Sequence, residues 1–129
     1  MKTTSDIYNI YFDADIKSVV MEWNGYASSQ QFREGTELML NTLVQNNCSK
    51  VLANIRDMTI IGMEDQEWLE TNFLPRAIKF GFKIIAIITP TSYFNKVAVE
   101  SISYKVNKEK LTISFFDNLE EGTKWLKNA

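Results

Sequence analysis

Residues 50–81 read KVLANIRDMTIIGMEDQEWLETNFLPRAIKFG and predict a strand, a loop and a helix in that order. The apolar run at 51–55 is typical of a strand that is covered on both faces of a sheet. The polar pair Arg56-Asp57 follows it, and a helical pattern begins near Glu64. In open α/β sheets, ligands and partners usually contact the loops at the carboxyl ends of the strands. This stretch is therefore the first candidate for a functional site.

The chain before this stretch predicts a hairpin and a long helix. Two strand-like runs, at 7–12 and 17–23, are joined by the polar turn DAD, which is too short for a parallel crossover. We therefore expect the two strands to pair as an antiparallel hairpin. A helix is expected from about residue 29 to residue 46, with Ser28 or Ser29 as its N-cap.

The helix within the opening stretch contains Pro75, and the alternation of strands and helices continues after it. A proline inside a helix removes one backbone hydrogen bond and clashes with the preceding turn, so we expect a kink near residues 71–74. The most apolar run, at 82–89, predicts a central strand, and a helix should follow from residue 92 or 93 to 106. A last strand is expected at 111–116.

A short helix is expected to end the chain, capped by Asp117 or Asn118, with apolar contacts from Leu119, Thr123, Trp125 and Leu126. Strands that alternate with helices imply parallel crossovers. The sequence therefore predicts a single α/β domain over residues 1–129. Its sheet should be mixed and mostly parallel, with about five strands, an N-terminal antiparallel hairpin and about four helices.

Composition and charge exclude several functional classes. The net charge is -2 and the pI is near 5.2, so the chain has no basic footprint for nucleic acid. No apolar run approaches the ~20 residues needed to cross a bilayer, and the first residues lack a signal-peptide core, so a cytoplasmic location is expected. The absence of histidine removes histidine-based nucleophile pairs and metal sites. With one cysteine and no phosphate-binding glycine motif, we expect no disulfide, metal or cofactor.

The polar residues of the opening stretch leave two interpretations open. Arg56 and Asp57 either form an ion pair that fixes the loop or contact a ligand or partner directly. Glu64 and Asp65, with Glu67, form an acidic first turn that either complements the helix dipole or holds a hard cation. The spacing matches no EF-hand loop, so we expect no metal there.

Aromatic residues predicted near the same edge of the sheet suggest a binding rim. Tyr93 lies on the next strand-to-helix loop and Trp23 ends the second strand. If these loops meet, the aromatics would suit a modest pocket or a protein-binding face; the alternative is that they only plug helix ends. The predicted binding surface comprises Trp23, Arg56, Asp57, Met63, Glu64, Asp65 and Tyr93.

Several motifs together resemble the STAS-like proteins, namely Trp23-Asn24-Gly25, KVLANIRDM at 50–58, DQEWLETNFLPRAIKFGFK at 65–83 and Trp125-Leu126. These small bacterial domains have the fold of anti-sigma-factor antagonists and are often grouped with CRAL-TRIO lipid-transfer-like domains. The resemblance covers nearly the whole chain and implies a (βα) superhelical layout. In the signalling members, a serine at the start of the helix after the central strand is phosphorylated. Here residues 62–64 are Gly-Met-Glu, so the usual phosphoacceptor is missing.

The sequence therefore supports a leading hypothesis and two alternatives. The leading hypothesis is a non-enzymatic binding or regulatory module that acts through a protein partner in bacterial signalling. The second is a small apolar-ligand or lipid-binding protein, which the aromatic content and the lipid-transfer grouping favour and which needs a cavity of ~300 Å³ or more. The third is an enzyme, which would need a perturbed carboxylate or lysine in a cleft. A homodimer is compatible with each, although no residue pattern identifies its interface.

Overall fold

The computed structural model describes residues 7–59, 62–89, 97, 100 and 110–129. In this part of the chain the strands are β1 (Tyr8–Asp13), β2 (Ser18–Gly25), β3 (Lys50–Met58), β4 (Ile84–Ile88) and β5 (Thr112–Phe116). The helical elements are α1 (Ser29–Gln45), α2 (Met63–Trp68), a π segment (Leu69–Phe73), α3 (Leu74–Lys79) and α4 (Leu119–Lys127). The helix predicted at 92–106 lies outside the described residues, apart from residues 97 and 100.

The described strands form one five-stranded sheet in the order β1-β2-β3-β4-β5. β1 and β2 are an antiparallel hairpin, and every later strand is parallel to its neighbour, as the sequence predicts. The middle strand is β3. The run at 82–89, which was also predicted to be central, is β4 and lies between β3 and β5. A continuous apolar run indicates a strand that is buried on both faces of the sheet. Any interior strand of such a sheet has this pattern, so the run does not identify the middle strand.

β3 extends further than its apolar run. Arg56 and Asp57 were predicted to follow the strand, but they lie within it, and β3 ends at Met58. The backbone pairing continues because β2 contains a register shift between Glu22 and Asn24, beyond which Asn24 pairs with Asp57. Backbone hydrogen bonding thus carries the strand past the point where its side chains become exposed.

α1 begins with a capping box. Ser28 Oγ accepts a hydrogen bond from the Gln31 N–H, and Gln31 Oε1 accepts one from the Ser28 N–H, so Ser28 rather than Ser29 is the N-cap. The helix turns an apolar face to the sheet, and its apolar residues at helical spacing, Phe32, Met39, Leu40 and Leu43, are all buried. Helical spacing alone was enough to identify this face.

α2, the π segment and α3 form one helical run, which has a widened turn where a kink was expected. The Leu74 N–H donates to the carbonyl of Leu69, five residues earlier. In an α-helix a proline ring collides with the carbonyl four residues before it, and the widened turn immediately precedes Pro75. The run ends at Gly81, whose φ is +113°. The Phe82 N–H donates to Ala77 O, which completes a Schellman ending.

Apolar clusters lie on both faces of the sheet. The larger cluster packs α1, the π segment and α3 on one face, and the smaller one packs α4 on the other through Leu126. Asn118 caps α4 by accepting the Glu121 N–H, as predicted. Leu119 was predicted to make apolar contacts, but its side chain is 44% exposed because it occupies the first position of the helix, outside the buried stripe.

Candidate functional site

The carboxyl ends of β2 and β3 form one edge of the sheet. Gly25 pairs with Met58, and the Thr59 N–H donates to Gly25 O at 2.9 Å, so the two strand ends are held side by side. Gly25 has φ +70°, a conformation that glycine adopts without strain. Arg56 and Asp57 are both exposed at this edge. The structure thus brings the predicted polar pair to the surface, on a strand instead of a loop.

The start of α2 lies at the same edge. Gly62 is the N-cap and supplies no side-chain hydrogen bond, while its carbonyl accepts the N–H groups of Asp65 and Gln66. Met63 is 83% exposed and Glu64 is also exposed. Glu64 therefore places a negative charge at the helix N-terminus, where it interacts favourably with the helix dipole.

Asp65 has a different environment from its neighbours, because only 5% of its surface is exposed. Its carboxylate accepts a hydrogen bond from Ser29 Oγ at 2.9 Å and from Arg33 Nε at 3.2 Å. The Arg33 guanidinium also lies 5.2 Å from the centroid of the Trp68 ring. Asp65 thus joins the start of α2 to the start of α1. The sequence places Asp65 in an acidic first turn and Arg33 on a solvent-facing side, and neither position reveals this contact.

A second charged contact joins the same helical layer further along. The Arg76 guanidinium of α3 donates to both carboxylate oxygens of Glu37 on α1, and one of its nitrogens also donates to Asn72 Oδ1. The hydrogen bonds that Arg76 donates to Glu37 raise the pKa of Arg76 above its usual range. Two carboxylate–guanidinium pairs therefore join the helices: one joins α1 to α2, and the other joins α1 to α3.

Of the two aromatic residues predicted to form a rim, the structure describes only Trp23, which does not lie at the surface. Trp23 is only 3% exposed and lies in the core, where its ring stacks at tilted angles on Tyr8 and Phe32. Because side chains of a strand alternate between its two faces, a tryptophan near the strand end still points into the α1 layer. Tyr93 lies outside the described residues.

Tyr26 is an exposed residue at this edge that the sequence analysis did not identify. It follows Gly25 directly, and 67% of its surface is exposed. Its position between the end of β2 and the N-cap of α1 is the signal that could have identified it. We use the term carboxyl-edge surface for Tyr26, Arg56, Asp57, Met63 and Glu64.

An apolar cavity of about 120 Å³, which is about half open, lies between the sheet and the helices that cover it. Among the described residues, its walls include Trp23, Ala53, Leu69 and Phe73, and Thr36 supplies the polar side chain. The Thr36 hydroxyl donates to Phe32 O at 2.7 Å. Ligand pockets usually begin at ~300 Å³, so this cavity is too small for a lipid chain.

The residues that the structure describes contain no group of three or more histidine, cysteine, aspartate or glutamate side chains that could hold a metal ion. None of the helices that the structure describes has the length and apolar character needed to cross a bilayer. Cys48 is half-buried, and the Lys50 N–H approaches its Sγ at 3.4 Å.

Comparison with known proteins establishes the fold. No protein-family model matches the chain, and no curated protein is significantly similar to it. A crystal structure of an uncharacterized DUF3478-family protein from Shewanella loihica PV-4, with a SpoIIAA-like fold, matches with a TM-score of 0.64. The fold is STAS-like. The match covers 96% of this chain and 98% of that one at 15% identity, so the STAS-like likeness concerns architecture alone.

Proposed function

We propose that this STAS-like chain is a non-enzymatic binding module whose carboxyl-edge surface contacts a partner protein in bacterial signalling, in the cytoplasm. One observation carries the proposal: two large exposed apolar side chains, Tyr26 and Met63, flank the exposed charges of the same sheet edge. Tyr26 directly follows β2, and Met63 begins α2, the helix that comes after the neighbouring parallel strand β3.

The chemistry of this surface suits a protein partner. Tyrosine, methionine and arginine are enriched at protein interfaces, where the apolar side chains form the centre and the charges form the rim. Methionine is flexible and polarizable, so it adapts to a partner's shape. An isolated exposed apolar residue is ordinary on a soluble protein, so the argument depends on two of them at one charged edge.

The carboxyl-edge surface is held in place from beneath. Asp65 joins α2 to Ser29 and Arg33 of α1, and the Thr59 N–H joins the loop after β3 to β2. A surface that is already ordered loses less entropy when a partner binds. This rigid support favours recognition by preformed contacts over binding that requires a segment to fold.

The proposed module lacks the phosphoserine switch that the family resemblance implies. In the described chain α2 starts at Gly62, Met63 and Glu64, none of which has a hydroxyl group. Phosphorylation of a helix start would add about two negative charges and change partner contacts. Glu64 supplies one permanent negative charge instead, so we expect binding to be constitutive.

The test uses a partner captured by the full chain from its native host and identified by cross-linking. Affinity should then be measured for Tyr26→Ser, Met63→Ser and the pair Arg56→Ala with Asp57→Ala. Because truncating a central interface residue costs about 1 kcal/mol or more, each change should weaken binding about fivefold or more. Binding by the variant without the two charges should also depend less on salt concentration, because salt screens interactions between exposed charges.

Phe80→Ser is the matched control. Phe80 is 58% exposed at the end of α3, away from the carboxyl edge, so its loss removes a comparable exposed apolar side chain. The control variant should bind like the unmodified chain. Unchanged affinity after replacement of Arg56 and Asp57 would refute this location, and turnover of a substrate by the purified chain would refute the non-enzymatic assignment.

A further inference from the structure

The outer side of β1 is an open edge of the sheet in the described structure. β1 is first in the strand order and pairs with β2 on one side only. The Asn24 N–H donates to Ile7 O at 2.8 Å, and in an antiparallel ladder such hydrogen-bonded pairs occur at every second residue. The backbone groups of Ile10 and Phe12 therefore point away from β2. No hydrogen bond satisfies them within the described part of the chain.

β1 lacks the features by which proteins usually protect a sheet edge. Its sequence, YNIYFD, contains no proline and no lysine, and its register with β2 continues without a bulge. Its one charged residue, Asp13, is the last of the strand. A regular, unprotected edge of this kind can accept a strand from another chain, because the incoming backbone satisfies the outward N–H and C=O groups.

Negative charges lie beside β1 on both faces of the sheet. On one face, an open groove between β1 and one side of α1 is lined by Glu34 and Leu38. On the opposite face, the Tyr11 side chain is exposed at 40%. Burial raises the pKa of Tyr11, and the negative charges of Glu22 and Asp13 raise it further, so both carboxylates act on this position.

The carboxylates beside β1 have no basic partner among the described residues. Glu34 accepts a hydrogen bond from the neutral Gln30 amide, and Glu22 accepts one from the neutral Asn9 amide. The other charged side chains that line the groove are already paired with opposite charges, namely Arg33 and Glu37. The hairpin itself has Lys17 as its one basic residue, in the turn. The charge around this edge therefore complements a positively charged partner.

We propose that β1 accepts an extended, positively charged segment of a partner protein as an additional strand of the sheet. The backbone of the segment would pair with Ile10 and Phe12, and its basic side chains would lie near Glu22 and Glu34 on the two faces. The exposed Tyr11 ring offers such a side chain a cation–π contact. A second copy of this chain fits less well, because pairing β1 with β1 would bring the same carboxylates together.

The test is titration of the full chain with a capped peptide that alternates lysine and valine and has the 6-residue length of β1. Binding should be saturable and should weaken as salt is added. Amide hydrogen exchange of Ile10 and Phe12 should slow on binding, whereas that of Tyr11, whose N–H faces β2, should change little. The same peptide with glutamate in place of lysine should bind at least about tenfold more weakly. Absence of saturable binding, or equal binding of the two peptides, would refute the proposal.

Matched charge variants locate the binding site on the protein. Glu22→Gln combined with Glu34→Gln removes both charges with little change in shape and should weaken binding of the lysine peptide about fivefold or more. The control combines Glu120→Gln with Glu121→Gln, which changes the net charge equally on α4, a helix that packs on β3, β4 and β5. The control should bind the peptide like the unmodified chain, and equal weakening by both double variants would contradict the location. Circular dichroism establishes that each variant is folded.

Methylation of the peptide backbone tests whether the segment pairs as a strand. Methyl groups on the valine nitrogens remove one alternate set of donors, and methyl groups on the lysine nitrogens remove the other. Only one set faces β1, so one methylated peptide should lose binding and the other should keep it; equal effects would refute strand addition.

The proposed strand site is distinct from the carboxyl-edge surface. Met63→Ser, which alters that surface, should leave peptide binding unchanged, so failure of either proposal can be recognised separately. Self-association of the chain that slows exchange of Ile10 and Phe12 without peptide would assign the edge to a second copy and overturn the proposal.

Discussion

Replacing Gly35 with alanine tests how tightly α1 lies on the sheet. A Cβ atom at this position would stand 2.5 Å from Trp23 Cη2, 2.9 Å from Trp23 Cζ2 and 3.2 Å from Tyr8 Cγ. Atoms at the first two distances must move apart. The indole is buried between Tyr8 and Phe32, so it is not a flexible side-chain tip that can rotate away.

Two opposing effects determine the size of the change. Alanine is preferred over glycine inside a helix by about 1 kcal/mol, which favours the variant. Forcing extra volume into a packed core costs about 1–3 kcal/mol, and the clash here is with a rigid ring. Because the clash with a rigid ring puts the packing cost at about 2–3 kcal/mol, the upper part of that range, we expect Gly35→Ala to lower the free energy of unfolding by about 1–2 kcal/mol.

Urea unfolding followed by circular dichroism measures this change directly. The control is Gly122→Ala on α4, where the added Cβ would meet Ile88 Cδ1 at 2.7 Å. That atom is the end of a flexible side chain, so the control should stay within about 1 kcal/mol of the unmodified chain. If Gly35→Ala were as stable as the unmodified chain, the clash argument would fail. The indole would then have to relax into the adjacent cavity, which it lines.

Two further predictions concern buried polar groups. Asp65→Asn keeps the side-chain volume but removes the charge that Ser29 and Arg33 contact, and should cost about 1–2 kcal/mol of unfolding free energy. The loss should be smaller in an Arg33→Met background, and strictly additive losses would contradict the contact. Burial raises the pKa of Tyr8, and the negative charge of Glu34 raises it further. Folding therefore favours the protonated phenol. This contribution to stability is complete below about pH 10 and is lost as pH rises through the folded-state pKa. When the pH is raised above that value, the free energy of unfolding should fall less for Tyr8→Phe than for the unmodified chain. Equal falls for the two chains, measured by urea unfolding, would refute this.

Local patterns were sufficient to predict much of the fold. The turn between β1 and β2 was too short for a crossover, and the described structure has the hairpin. The pair Ser28 and Ser29 indicated where α1 begins, and the structure has Ser28 as its N-cap. These features depend on residues within one or two turns of each other, so their physical causes are visible in the sequence.

The candidate site was harder to predict because its contacts are long-range. Arg33 and Asp65 are far apart in the chain, and each has an ordinary local explanation as a surface residue or as part of an acidic first turn. Trp23 was predicted at a rim because it ends an apolar run, although the alternation of β2 points it into the core. Arg56 and Asp57 were expected to follow β3 because their side chains are polar. Backbone pairing with β2 nevertheless continues through them, and side-chain polarity gives no information about it. The cavity leaves no sequence signal, since its walls are ordinary core residues.

The strand order has a consequence for how the chain assembles. Every strand pairs with the strand that precedes it along the chain, so no described strand must wait for a distant later segment before it can join the sheet. During synthesis, the hairpin and α1 are available before β3 emerges, and β4 and β5 can then be added one at a time. At each stage the newest strand presents an unpaired edge, which the next strand covers when it emerges. Sequential topology therefore leaves one open edge at a time on the growing side of the sheet.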